Sequence, residues 1–177
     1  IQMELNLAKN MALVENNWRV SFKSYSKNKT VLAAMTNKQS NEDGTLSDEE
    51  IKWLVRRAKG GFAITTTAAA NVTEHGRGWE GEMGVWGDHQ LPGLTKMATQ
   101  LNETGTVSLA QIFHGGMRAP KSLNGVQPVS ASVNTESGMD GLYTRELTHQ
   151  EVLDMIQSFT DAAVRCQKAG FHGVELH

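Results

Sequence analysis

From residue 31 onward the chain alternates short apolar runs with stretches of helical period, and that alternation leaves few folds open. The runs are VLAAM at 31–35, FAITT at 62–66, VSLAQIF at 107–113 and GVELH at 173–177. In the last of them Val174, Glu175 and Leu176 alternate with a period of two. Between the first two runs, Ser47-Asp48-Glu49-Glu50 reads as a capping box, the Ser47 hydroxyl accepting from the Glu50 amide while the Glu50 side chain reaches back. Ile51, Leu54, Val55 and Ala58 then fall on one helix face, which Gly60-Gly61 ends. Pro92 suits the first turn of a second helix, with Leu94, Met97, Ala98 and Leu101 on one side and Gly105 closing it. Thr148-His149-Gln150-Glu151 is another capping box. It opens a helix with Leu153, Ile156, Phe159, Ala163 and Cys166 inward and Gly170 as its C-cap.

Strands separated by amphipathic helices predict βαβ units and a parallel sheet, and near-continuous apolar strands agree, because such sheets are covered on both faces. Four strands and three helices fit a doubly wound sheet or half of a (β/α)8 barrel. No G-x-G-x-x-G turn follows the first strand, which weakens the dinucleotide-binding version of the doubly wound fold. In both architectures the chemistry gathers at the C-terminal ends of the strands. Those ends carry Met35-Thr36-Asn37, Thr66-Thr67-Ala68, the Gln111 to His114 segment, and His177. These are hydrogen-bonding residues without a carboxylate pair, a Ser–His–Asp set or a Cys–His spacing. They suit a planar polar ligand, with one or two imidazoles for an anion or a carbonyl oxygen.

Composition narrows the partners. A net charge of −2 with scattered Lys and Arg argues against nucleic acid or an anionic membrane surface. No apolar run reaches the length of a membrane span, and the N-terminal segment lacks the apolar centre of a signal peptide. Cys166 is the single cysteine, so no intrachain disulfide forms, and a cytoplasmic location is the simplest expectation. The chain begins with Ile1 rather than Met, which suggests processing or truncation there.

The segments SKNKTVLAAMTN, GGFAITTTAAA, GVWGDHQLPGL, AQIFHGGMR and AGFHGVELH, in that order, resemble the Old Yellow Enzyme family of FMN-dependent ene-reductases over about residues 26–177. The resemblance implies a (β/α)8 TIM barrel with FMN at its C-terminal mouth. It also implies NADH or NADPH as reductant and hydride transfer through the flavin to the activated C=C of α,β-unsaturated carbonyl compounds. Because the family barrel has eight strands, this chain is expected to carry the first four. Residues 1–30 are then an N-terminal lead-in, and 31–177 an N-terminal half-barrel that stops at the end of strand four.

The same resemblance assigns roles. Thr36 lies near the flavin O4/N5 edge, with Ala34 and Met35 in the same cofactor-binding segment; Ala34 stands where the family usually has proline. Ala68 is the small residue whose backbone N–H approaches the flavin, with Thr67 the alternative one position away. Gln111 pairs with the pyrimidine edge, its carboxamide offering both donor and acceptor. Apart from any resemblance, a glutamine between Ala110 and Ile112 in an apolar strand is costly without such partners. His177 donates to the substrate carbonyl oxygen, and His114 lines the substrate pocket, with Arg118 following it one residue out of the family's spacing. His75, His89, His149 and His172 read as loop or helix-end residues, Cys166 as core, and Gly84-Val85-Trp86 as a packing loop. The arginine that neutralises reduced flavin, the phosphate loops and the proton-donating tyrosine belong to the second half. The C-terminal half of the barrel, or a homo-oligomer, is therefore the expected partner besides a small-molecule substrate. Two other readings stand beside this one: a half-barrel without catalysis, and a metal-dependent barrel hydrolase using His114 and His177. The second lacks an H-x-H pair on strand one and carboxylates at the strand ends.

Overall fold

A parallel sheet in sequence order forms the centre of the computed structural model, which describes residues 27–135 and 143–177. Strands β1 (Val31–Leu32), β2 (Ile64–Asn71), β4 (Val107–Phe113) and β7 (Gly173–Leu176) pair side by side, all parallel. β3 (Met83–Gly84) adds to the end of β2. Helices α1 (Asp48–Lys59), α2 (Leu91–Asn102) and α4 (His149–Ala169) make the crossovers. A short α3 (Lys121–Asn124) and a ladder of β5 (Val129–Ser130) with β6 (Arg145–Glu146) fill the long loop after β4. The lead-in expected at residues 1–30 falls almost wholly outside the described residues.

The helices cover one face of the sheet. Ile51, Leu54, Val55 and Ala58 of α1 and Leu94, Met97, Ala98 and Leu101 of α2 are all buried, as their spacing predicts. They join Ala110 and Ile112 of β4 and Cys166 of α4 in one core. At α4 the prediction holds only for the C-terminal half. Ala162, Ala163, Cys166 and Ala169 are buried, Leu153 and Phe159 are half-buried, and Ile156 is exposed along with Val152 and Val164. In the N-terminal half of this 21-residue helix Met155 still packs against the core, while Ile156 meets no described element that buries it.

Two expectations change at the strands. β1 ends at Leu32 rather than residue 35, and β2 extends to Asn71 rather than stopping at 66. The register of β2 on β4 shifts between Thr66 and Ala69, just past the last β1 pair at Thr65, and such a bulge bends the strand. The capping boxes divide as well. Thr148 and Glu151 form the full reciprocal pair, and Arg145 grips Glu151 through two bonds of 2.7 and 2.8 Å. Those bonds hold the Glu151 carboxyl down to about 2. At α1 the Ser47 hydroxyl does accept from the Glu50 amide at 3.1 Å, but the Glu50 side chain does not reach back. It is buried and accepts from Asn37 Nδ2 at 3.0 Å and from the Ser40 hydroxyl. Glu50 thereby anchors the loop after β1 to helix α1. Burial pushes its carboxyl above the ordinary range.

Gly84-Val85-Trp86 is a packing device. A Cβ placed on Gly84 falls 1.9 Å from the Trp86 ring, and the same ring crowds Gly44, whose φ of +76° already demands glycine. Arg165 of α4 donates to the Val85 carbonyl at 2.7 Å and pairs with Asp88 at 2.9 Å, tying this segment to the helix layer. Gly84→Ala is expected to lower stability by about 2–3 kcal/mol, the cost of overpacking a closed site, and chemical-denaturation midpoints measure it.

Candidate active site

Among the described residues the face of the sheet opposite the helices is uncovered along β4 and β7 but not along β2, whose residues 65–71 are all buried, and β4 shows which residues it carries. Ser108, Ala110 and Ile112 are buried, whereas Leu109, Gln111 and Phe113 are half-buried. With side chains alternating along a strand, Gln111 and Phe113 share the uncovered face. On the neighbouring strand Glu175 pairs in register with Gln111, and Gln111 Nε2 donates to Glu175 Oε1 at 2.7 Å. Two residues further on, the His177 ring stacks on Phe113 with centroids 5.3 Å apart and an interplanar angle of 25°. Trp79 meets the same Phe113 ring at 5.5 Å. The His177 amide donates to the Ile112 carbonyl at 3.0 Å, so strand pairing continues to this residue while its side chain stays exposed.

On the other side of Gln111 the sheet presents small residues. Ala69 is its register partner on β2. The Thr67 hydroxyl is used inside the bulge, accepting from the Gln111 amide at 3.1 Å and donating to the Ala68 carbonyl at 2.7 Å. Of the two alternatives, which lie within β2 and not at its end, Thr67 is thus engaged in holding the backbone and Ala68 presents only a methyl. The expected penalty on an unpartnered Gln111 does not arise: its side chain lies on the open face and already has a carboxylate partner.

The loops after β1 and β2 frame this face. Thr36 and Met35 are exposed and Ala34 half-buried, in the loop that Asn37 and Ser40 fasten to Glu50. The Ser40 amide also donates to the Gly81 carbonyl at 3.1 Å. Next to it Glu82 is buried, with its Oε2 accepting from the Gly78 amide at 2.5 Å. Its carboxyl is pushed up to about 8, chiefly by burial. Gly78 in turn lies against the Phe113 ring, so Glu82 supports the Trp79–Phe113 wall of the mouth.

His114 is not part of this face. It lines a separate cavity of about 380 Å³ with Thr73, His75, Val129 and Met155, among others, on the side of α4 and the β5–β6 ladder. Its Nδ1 accepts from the Gly116 amide at 2.9 Å, and burial pushes its pKa down, which keeps the imidazole neutral. The His114 and His177 rings therefore have different neighbours, the first this cavity and the second Phe113. Among the described residues no group of three His, Cys, Asp or Glu side chains is arranged to hold a metal ion. Trp79 and Glu175 were absent from the residues expected at the site, and Phe113 stood among the strand-end residues without a role. Period-two counting from Gln111 and His177 reaches Phe113 and Glu175, whereas nothing local marks Trp79.

The uncovered part of this face thus combines a carboxamide, an aromatic wall and an exposed imidazole, beside the small buried residues of β2. A sequence profile of the NADH:flavin oxidoreductase / NADH oxidase family matches residues 22–177. The chain belongs to this family. The probable NADH-dependent flavin oxidoreductase YqiG of Bacillus subtilis is 36% identical over 151 residues, which cover 85% of this chain and 40% of that protein. The NADH:acrylate oxidoreductase of Vibrio harveyi is 35% identical over 151 residues, 85% of this chain and 15% of that protein. Among solved structures, the Old Yellow Enzyme homologue from Zymomonas mobilis superposes with a TM-score of 0.80 at 26% identity, covering 86% of this chain and 44% of that one. The sheet and its crossover helices are accordingly part of a (β/α)8 barrel, and the chain spans less than half the length of each of these relatives. Among the described residues no helix is long and apolar enough to cross a membrane.

Proposed function

We propose that this chain supplies the N-terminal half of an FMN-dependent oxidoreductase. In this reading NADH or NADPH provides the reducing equivalents, and the acceptor is the activated C=C of an α,β-unsaturated carbonyl compound. The observation that carries the proposal is the convergence of Gln111, Phe113 and His177 on one open face at the C-terminal strand ends of a barrel in this family. The donor set fits a flavin: a carboxamide can satisfy the N3–H/O2 edge of an isoalloxazine, and the alanines beside it leave room for a flat ring.

FMN, when bound, supplies the hydride chemistry. Gln111 would hold the pyrimidine edge. Thr36, in the segment with Ala34 and Met35, would offer its hydroxyl to the O4 side, and the Ala68 backbone N–H would lie against the ring. His177 would donate from its imidazole to the substrate carbonyl oxygen, where negative charge grows during reduction. Phe113 orients that imidazole by stacking, while the paired backbone of His177 limits its swing. The relative named for acrylate reduction supports a substrate of this electronic type.

Both edges of the sheet expose apolar side chains, Val31 and Met35 beside β1 and Leu176 on β7. Edges without a partner strand among the described residues favour further pairing, which supports completion of the barrel by a C-terminal half. The test of the whole reading is spectroscopic. The purified protein is expected to carry a visible flavin band that bleaches under anaerobic NADH or NADPH and returns on addition of an enone. A preparation that takes up no FMN contradicts the proposal.

A further inference from the structure

We infer that Glu175 is a positioning residue that sets the orientation of the Gln111 carboxamide and so decides which end of it meets a ligand; this rests on the flavin reading above. A carboxamide has two ends of nearly equal shape, one accepting and one donating, and can turn over between them. Glu175 removes that freedom. Its carboxylate accepts and cannot donate, and it sits in register beside Gln111 with the side-chain nitrogen 2.7 Å away. Turning the amide over would set its oxygen against the carboxylate oxygens. The nitrogen therefore stays on Glu175 through one N–H, leaving the amide oxygen and the second N–H for whatever lies on the open face.

That arrangement matches the edge of a flavin, where one N–H and one carbonyl stand side by side. With its orientation already chosen, Gln111 loses no binding free energy in selecting it, which is the advantage of preorganisation. Backbone pairing fixes both partners: β4 and β7 hydrogen-bond on either side of them, and the Gln111 amide is further held by the Thr67 hydroxyl. Glu175 lies on an exposed face, so a near-isosteric change there leaves the core untouched.

The experiment has two arms. In the first, without ligand, the two side-chain amide proton resonances of Gln111 are compared by NMR in the wild type and Glu175→Gln. One of the two is expected to be shifted downfield in the wild type by its bond to the carboxylate and to move back in Glu175→Gln; identical resonances in the two proteins overturn the inference. In the second, FMN affinity is measured for the wild type, Glu175→Gln, Gln111→Ala and the double variant. Glu175→Gln is expected to weaken FMN about tenfold when Gln111 is present and less than about twofold when it is not. An equal loss in both backgrounds means that Glu175 acts through its own charge, which also overturns the inference. If the wild type takes up no FMN at all, the flavin reading fails, while the first arm still decides whether Glu175 orients Gln111.

Discussion

Glu82→Gln should make the protein more stable than the wild type from neutral pH upwards, by about 3 kcal/mol at pH 7 and about 4 kcal/mol at pH 8. The Glu82 carboxyl is pushed from 4.5 to about 8 by burial, against the opposing pull of the Gly78 and Trp79 amides and the Arg77 charge. A carboxyl with a raised folded pKa favours the fold in its protonated form. Its contribution is fully present below 4.5 and is lost as pH climbs towards 8, each unit costing about 1.4 kcal/mol. Glutamine keeps an acceptor for the Gly78 amide and removes the titration. Urea midpoints of both proteins at pH 5 and pH 8 measure this. The wild type is expected to weaken over that interval, with the variant nearly level at this position. Parallel profiles for the two proteins would show that Glu82 does not titrate in the range the structure implies. Glu82 is also tied to the site, because it accepts from the Gly78 amide in the loop that carries Trp79 against Phe113.

The second large effect belongs to His177. Replacing it with alanine is expected to lower kcat/KM for an enone roughly 100- to 1,000-fold, about 3–4 kcal/mol of lost transition-state stabilisation. FMN affinity should change little, because Gln111 and the strand ends on the other side are untouched. Stability should fall by no more than about 1 kcal/mol, the scale of one aromatic stack, since the His177 amide keeps its bond to the Ile112 carbonyl. Steady-state reduction of an enone under NADH or NADPH, with a parallel FMN titration, separates these outcomes. Loss of FMN binding in His177→Ala would reassign the residue from substrate to cofactor.

Much of the fold was legible because its helices obey one period and bury one face. β4 occupies 107–113 as the apolar run predicts, and the inward residues of α1 and α2 are those that their spacing selects. The failures have physical causes. The second apolar run stops at Thr66, yet the strand continues to Asn71, because small side chains pack well where a bulge and two neighbouring strands leave little room. Glu50 looked like half of a capping box; a buried pairing with Ser40 and Asn37 wins over the exposed reciprocal bond. Ile156 has helical spacing and no described element to bury it. At the site, Gln111 and His177 stood out by chemical type, and the structure sets them on one face. His114 matched by adjacency alone. A position one residue past the strand end left its ring free to turn towards α4, and only tertiary structure could reveal that.

The central claim is that the open face around Gln111 holds a flavin, and FMN titration of Gln111→Leu against the wild type tests it most directly. Leucine keeps the bulk and removes both hydrogen-bonding ends, so FMN is expected to bind about 10- to 100-fold more weakly, with the fold intact by circular dichroism. Equal affinity in the two proteins would place the flavin away from this face and contradict the account.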